Sequence, residues 1–240
     1  QNILDMGAPT IICLQEVENL EVLQDLVEEE PIAGFGYEPF LVEGNDSRGI
    51  DVGYLVRSDL ATVESVAAHD APGELFARPP LVMTATVHLD SGDQTVIMLN
   101  NHFLSLSAGE EATEPVRAAQ AAWSVTVMEE LASDNPEAHI VVLGDLNSFL
   151  QTLPLDTLEE AGLRHVYRTL PEAERPYTYI FEGRSQTLDH ILVSSALFDQ
   201  LTLVEALHSN ADYPIGDPED SSYRRISDHD PLVVIFGFAE

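Results

Sequence analysis

The stretch His139-Ile-Val-Val-Leu-Gly-Asp145-Leu-Asn147 decides how this chain reads. Its run of branched apolar residues is too short for a helix and describes a strand buried on both faces, closed by Gly144. Asp145 and Asn147 are thereby delivered to the strand's end. Residues i and i+2 of an extended segment project to the same side, which pairs an acid with a neutral amide. Taken alone, the pattern also suits an Asx-turn that closes the strand.

The same arrangement recurs on either side. A short strand over 9–14 runs into Gln15-Glu16, and a strand over 95–101 ends at His102. Further strands are expected over 50–56, over 81–89, where apolar and polar positions alternate, and over 188–193 and 231–236. Helical spacing is expected near 19–29 and over 111–133, stopping before Asp134-Asn-Pro136, and residues 1–6 read as the tail of a helix. A loop over 210–225 separates a helix-like region from the last strand. Strands interleaved with helices imply an α/β architecture, and 240 residues at 45% hydrophobic content suit a single domain over 1–240.

Glu16, His102 and Asp145 follow strands, whereas Asp189 and the pair Asp228-His229 open them. If the second group of strands runs antiparallel to the first, all six residues fall on one rim. Glu16 offers the hard oxygen that magnesium or manganese prefers, although a surface Glu opening a helix fits the same position. In Ser227-Asp228-His229-Asp230-Pro231 the adjacent Asp and His project differently, so one can face a metal and the other a substrate. Asp189 can bond His229 and fix its tautomer, the logic of an acid–base pair. His102, in Asn100-Asn-His-Phe103, supplies a second imidazole for charge neutralisation across a phosphorus atom.

Arg48, Arg117 and Asn101 are candidate substrate contacts. The other histidines, at 69, 88, 139, 165, 190 and 208, read as surface or locally bonded residues, and Trp123, Tyr177, Tyr179 and Phe181 as packing.

Forty-two acidic residues face ten basic ones, all ten of them Arg, for a net charge of −32. Such a field repels polyanions and counts against tight, sequence-independent DNA binding. A phosphate held locally by a metal and a few arginines is unaffected by that argument, and an acidic, halophile-like surface accounts for the excess equally well. The single Cys13 excludes an intrachain disulfide and is expected as a buried thiol. No apolar run reaches membrane-spanning length, and no protein partner is inferred.

The ordered set Leu14-Gln-Glu-Val-Glu-Asn19, Arg48-Gly-Ile-Asp-Val-Gly53, Asn100-Asn-His-Phe103, Gly144-Asp-Leu-Asn-Ser148, Thr187-Leu-Asp-His-Ile191 and Ser227-Asp-His-Asp-Pro231 resembles the endonuclease/exonuclease/phosphatase superfamily. Tyr177-Thr-Tyr179 and His208-Ser-Asn-Ala-Asp212 narrow the resemblance to bacterial extracellular nuclease-like members. What it implies is a four-layer α/β sandwich, with two mixed, mostly antiparallel sheets flanked by helices. It further implies Mg2+ or Mn2+ (Ca2+ as a third candidate) on Glu16 and Asp228, and hydrolysis of a phosphoester by water, with His102, Asp145, Asn147, Asp189 and His229 catalytic. A nucleic acid or a small phosphoester would be the substrate. A secreted location is implied by the resemblance only, and the compartment is otherwise open.

Two departures accompany it. The family's opening strand, which carries an Asn, is expected before Gln1, so that the first strand is missing from the chain. The Lys usual after Asn-His-Phe is replaced by Leu104-Ser-Leu-Ser107. The rival readings are a phosphatase or phosphodiesterase on a small or lipid-headgroup phosphoester, and a non-catalytic metal-binding accessory domain.

Overall fold

Period-two burial organises the centre of the molecule. In a computed structural model, which describes residues 1–214, 222 and 224–238, the elements in chain order are α1 (Asn2–Asp5), β1 (Ile11–Val17), α2 (Leu20–Glu28), α3 (Glu30–Ala33), β2 (Tyr37–Leu41), β3 (Asp51–Arg57), β4 (Ala61–Ala68), β5 (Leu81–Val87), β6 (Gln94–His102) and α4 (Glu110–Asp134). They continue with β7 (His139–Asp145), α5 (Leu153–Glu160), β8 (Arg164–His165), β9 (Tyr179–Phe181), β10 (Arg184–Gln186), β11 (Asp189–Val193), α6 (Ser195–Phe198), β12 (Leu201–Ala206) and β13 (Leu232–Phe236).

Six strands form the main sheet in the order β4-β5-β6-β7-β11-β8, with β6 and β7 parallel and every other pair antiparallel. Along β6, Ile97 and Leu99 point to one face and Val96 and Met98 to the other; along β7, Ile140 and Val142 oppose Val141 and Leu143. The first face packs on Ala121, Val127 and Met128 of α4 and on Leu155 and Leu158 of α5. The second packs on the antiparallel sheet β1-β3-β2 through Val52, Tyr54 and Val56, and on the pair β12-β13 through Val204, Leu232 and Val234. Ile12, Leu55 and Leu23 then seat α2 on the far side of the small sheet. The order helix, sheet, sheet, helix is the expected four-layer sandwich.

Six strands escape a pattern reading, of which β8, β9 and β10 are only two or three residues long. β2 contains Glu38 and Pro39, and β4 is a largely exposed edge strand of small and polar residues. The helix-like region before the last loop is β12 instead, because Leu-Thr-Leu-Val-Glu-Ala pairs along its length with β13. Part of the 210–225 loop lies outside the described residues. Cys13 is half-buried between the small sheet and the β12-β13 side of the core.

Candidate active site

Strand register builds the site. His102 ends β6 directly opposite Asp145 at the end of β7, and Asp189 opens β11 opposite the same Asp145, so the three form one row across three strands. Parallel β6–β7 and antiparallel β7–β11 pairing makes two strand ends and a strand start coincide, as the sequence argument requires. Gly144 permits the close β6–β7 approach: with φ +127° it lies where a Cβ would meet the Asn101 carbonyl oxygen at 1.9 Å.

His229 joins the row from the other end of the chain. Its Nδ1 lies 2.7 Å from Asp189 Oδ2, and the residue bridges to Tyr179, whose ring packs 4.6 Å from the imidazole. Because an ionised carboxylate can only accept, Nδ1 carries the proton and Nε2 is the nitrogen left for chemistry. Burial pushes this imidazole down, but the Asp189 hydrogen bond and the charges of Asp189, Asp145 and Asp228 outweigh it and raise its pKa to about 9.

The opposite happens to His102. It is 6% exposed, and burial, reinforced by Arg78, Arg48 and His229, pushes its pKa down to about 3. Its Nε2 lies 3.5 Å from Asp145 Oδ2, and its Nδ1 is buried without a hydrogen-bond partner among the described residues. The site therefore holds one charged and one neutral imidazole. Between them, burial and then the repulsion of Asp189 push Asp145 up to about 7, Glu16 adding to the effect while His229 and the Asn147 amide oppose it.

Asn147 departs from the simple i, i+2 picture. Its φ is +45°, so the segment is not extended there. Its backbone N–H donates to Asp145 Oδ1 at 2.9 Å, and its side-chain amide donates to Asp145 Oδ2 and to the Phe103 carbonyl. The Asx-turn and the acid–amide pair are thus both present, and the amide nitrogen serves Asp145 rather than reaching out alone. Glu16 also has a left-handed backbone, φ 58°, at a bulge between Leu14 and Val17, a device that re-aims a side chain at a sheet's end.

Of the three proposed substrate contacts, one reaches the rim. Arg48 is exposed, 3.7 Å from Glu16, and bonds Asp46. Arg117 is 1% exposed and bonds Thr113 Oγ1 and the Glu110 carbonyl, so its guanidinium is engaged by the first turns of its own helix, α4. Asn101 is fully buried, donating to the Leu99 and Leu143 carbonyls and accepting from Ser124, which fastens α4 to the sheet. Both corrections share one cause: α4 covers that face of β6, and a polar group under a helix must find its partners there. Asn101 and Asn100 alternate across the pleat, and Asn100 on the other face bonds the Leu14 and Gly53 carbonyls.

The chain also supplies residues that a reading of motifs does not single out. Arg78, from the segment before β5, is buried, pairs with Asp46, and contributes to the depressed pKa of His102. The duplicated Pro79-Pro80 beside it is the one local sign that this segment is fixed. His165 and His190 are fully buried and bonded in series, His165 Nε2 to His190 Nδ1 at 2.9 Å and His190 Nε2 to the Ser148 carbonyl at 2.7 Å. They brace the turn that carries Asn147 from below.

A family model described as Endonuclease/Exonuclease/phosphatase family matches residues 1–210. The chain belongs to the endonuclease/exonuclease/phosphatase family. Solved structures of similar fold include a mannosyl-6-phosphatase of Bacteroides thetaiotaomicron, at 20% identity over 98% of this chain and 88% of that one with TM-score 0.70. A humanized D. rerio TDP2 matches at 18% identity over 95% and 86% with TM-score 0.69. The human Nocturnin catalytic domain with bound sulfate matches at 18% identity over 97% and 83% with TM-score 0.65. No curated protein matches the sequence.

For an endonuclease/exonuclease/phosphatase chain the question of a cation turns on donor chemistry. Among the described residues no three His, Cys, Asp or Glu side chains stand close enough together to enclose an ion. Even so, Asp145 is buried next to Asp189 and is pushed up by it and by Glu16, a surplus of negative charge of the kind an oxygen-seeking divalent ion relieves. By donor type, carboxylate oxygens suit such an ion. No helix among the described residues is long and apolar enough to cross a membrane.

Proposed function

We propose that this chain is a divalent-metal-dependent phosphoesterase that cleaves phosphodiesters by in-line attack of water. The observation that carries the reading is the registered row His102-Asp145-Asp189, capped by His229 on Asp189 at 2.7 Å. A carboxyl and an imidazole with environments that separate their protonation behaviour are the acid–base arrangement phosphoryl transfer uses.

Asp145, drawn up to about 7, takes the proton of the attacking water near neutral pH. His229, held charged to about 9 by Asp189, turns Nε2–H to the phosphoryl or leaving oxygen, where negative charge gathers. Neutral His102 contacts the same phosphoryl group from the β6 end of the row, and Arg48 and Arg78 contribute positive potential there. Glu16 and Asp228 are the carboxylates to hold Mg2+ or Mn2+, both exposed enough to turn toward an ion. When bound, such an ion neutralises charge on the phosphoryl oxygens.

The net charge of −32 supports a second reading, in which the substrate is a small phosphoester. Relatives of this fold carry names from both classes, a mannosyl-6-phosphatase and a TDP2 complexed with single-strand DNA product. Assaying bis(p-nitrophenyl) phosphate, single-stranded DNA and a sugar 6-phosphate with wild type and Asp145→Asn separates the cases. A phosphodiesterase prefers the first two, with binding to DNA that weakens steeply with salt. Preference for the sugar phosphate selects the small-ester reading, and turnover unaffected by Asp145→Asn removes the mechanism.

A further inference from the structure

The Asp–His–Tyr arrangement around His229 occurs twice, side by side. His229 bonds Asp189 Oδ2 through Nδ1 at 2.7 Å and packs on Tyr179 at 4.6 Å. His208 bonds Asp230 Oδ2 through Nδ1, also at 2.7 Å, and stacks on Tyr177 at 4.3 Å with the rings 24° from parallel. Tyr177 and Tyr179 flank Thr178, which is fully buried and turns its hydroxyl toward the amides of Leu188 and Asp189, so the two tyrosines point to the same, outer side. Residues two apart on an extended segment are separated by about 7 Å, which sets the repeat between the two tyrosines on which the imidazoles pack.

The second unit is built as firmly as the first. Asp230 is 2% exposed, and its Oδ1 accepts from the amides of Asn210 and Ala211 while Oδ2 holds His208. Asn210 ties this turn to the carbonyl of His229. Tyr177 donates its hydroxyl to Asp212. The His208 side chain remains 35% exposed, so an imidazole fixed at Nδ1 keeps Nε2 facing outward. Arg225 adds permanent charge on the turn that follows His208, its Nη1 donating to the Asn210 and Ala211 carbonyls, and its field reaches Tyr179. The His229 imidazole is itself held by Asp189 and Tyr179.

The geometry points to a second phosphate subsite formed by His208 and Arg225, one strand repeat from the scissile phosphate at His229. It rests on the phosphoesterase reading and specifies the substrate class, one that carries a second phosphoryl group on the leaving or retained part. The imidazolium form of His208 donates Nδ1–H to Asp230 and Nε2–H to a phosphoryl oxygen, with Arg225 as the fixed countercharge. Two sources carry that chemistry, a nucleotide chain with successive phosphates and a sugar bisphosphate.

Thymidine 3′,5′-bisphosphate, thymidine 5′-phosphate, glucose 1,6-bisphosphate and glucose 6-phosphate are titrated into the full chain while the Cε1–H signals of His208 and His229 are followed by NMR. A bisphosphate is expected to move both signals and a monophosphate only that of His229; the nucleotide or the sugar that does so identifies the source. His208→Asn keeps an N–H for Asp230 and removes only the Nε2 position. It is expected to weaken bisphosphate binding at least tenfold more than monophosphate binding, and His208→Gln, which returns an N–H near Nε2, to recover part of the loss. Arg225→Gln gives an independent reading of the same preference.

Movement of His229 alone, or equal losses for both ligands in His208→Asn, overturns the subsite and leaves the phosphoesterase reading intact. No movement of either signal overturns both.

Discussion

Replacing Asp189 by Asn keeps the size of the side chain and removes the charge that holds His229. In the wild type, burial pushes the His229 imidazole down, and the hydrogen bond and charge of Asp189 are the two largest contributions that raise its pKa from 6.5 to about 9. Without them, burial, the largest single influence, is opposed by the charges of Asp145 and Asp228. The ring in Asp189→Asn should titrate at or below 6.5. A fall of more than ~2 units corresponds to ~3 kcal/mol of lost preference for the charged ring, or about a hundredfold in a step that depends on it.

The sign can be checked through stability. A folded-state pKa above the unfolded value means that the pair stabilises the fold fully below 6.5 and loses that contribution as pH rises through about 9. Urea unfolding of wild type and Asp189→Asn should therefore differ most near pH 6 and converge above pH 9. The midpoint itself is read from the His229 Cε1–H shift. A midpoint still near 9 in Asp189→Asn would refute the reasoning, because the charge would then come from elsewhere.

Other consequences are open to measurement. Gly144→Ala places a methyl group against the Asn101 carbonyl at a φ of +127°, and should lower the urea unfolding free energy by about 3 kcal/mol or more, with disrupted β6–β7 pairing. His102 is held neutral by burial, so an unfolded chain takes up a proton that the folded one refuses; its contribution is lost as pH falls from 6.5 toward 3, and His102→Gln should flatten that acid loss of stability. With 42 acidic and 10 basic residues, screening of self-repulsion should raise the melting temperature between 0.1 and 1 M NaCl, read by differential scanning calorimetry. Arg117→Met should destabilise the chain with little change in the KM of the remaining folded protein, since the guanidinium bonds only α4 among the described residues.

The fold was legible where residues had to satisfy one strong constraint. Strands β3, β5, β6, β7, β11 and β13 are apolar runs or alternations that bury at least one face, and α2 and α4 carry their spacing openly. β4 and β12 were not, because an exposed edge strand and a strand in a two-stranded pair need little hydrophobic pattern. The row His102-Asp145-Asp189 followed from strand ends and one assumption about direction, and the His229–Asp189 bond from chemical complementarity. Asn101 and Arg117 misled because sequence does not say which face of β6 lies under α4. Arg78, and the service of Tyr177 and Tyr179 to His208 and His229, arise from convergence of segments far apart in the chain, which no local pattern encodes.

Most direct for the central claim is hydrolysis of bis(p-nitrophenyl) phosphate by wild type and His229→Ala, after EDTA treatment and after return of Mg2+ or Mn2+. Wild-type activity is expected to vanish with EDTA and return with either ion, and His229→Ala to remain reduced by orders of magnitude in all conditions. Activity in wild type that survives EDTA, or full activity in His229→Ala, would contradict the account.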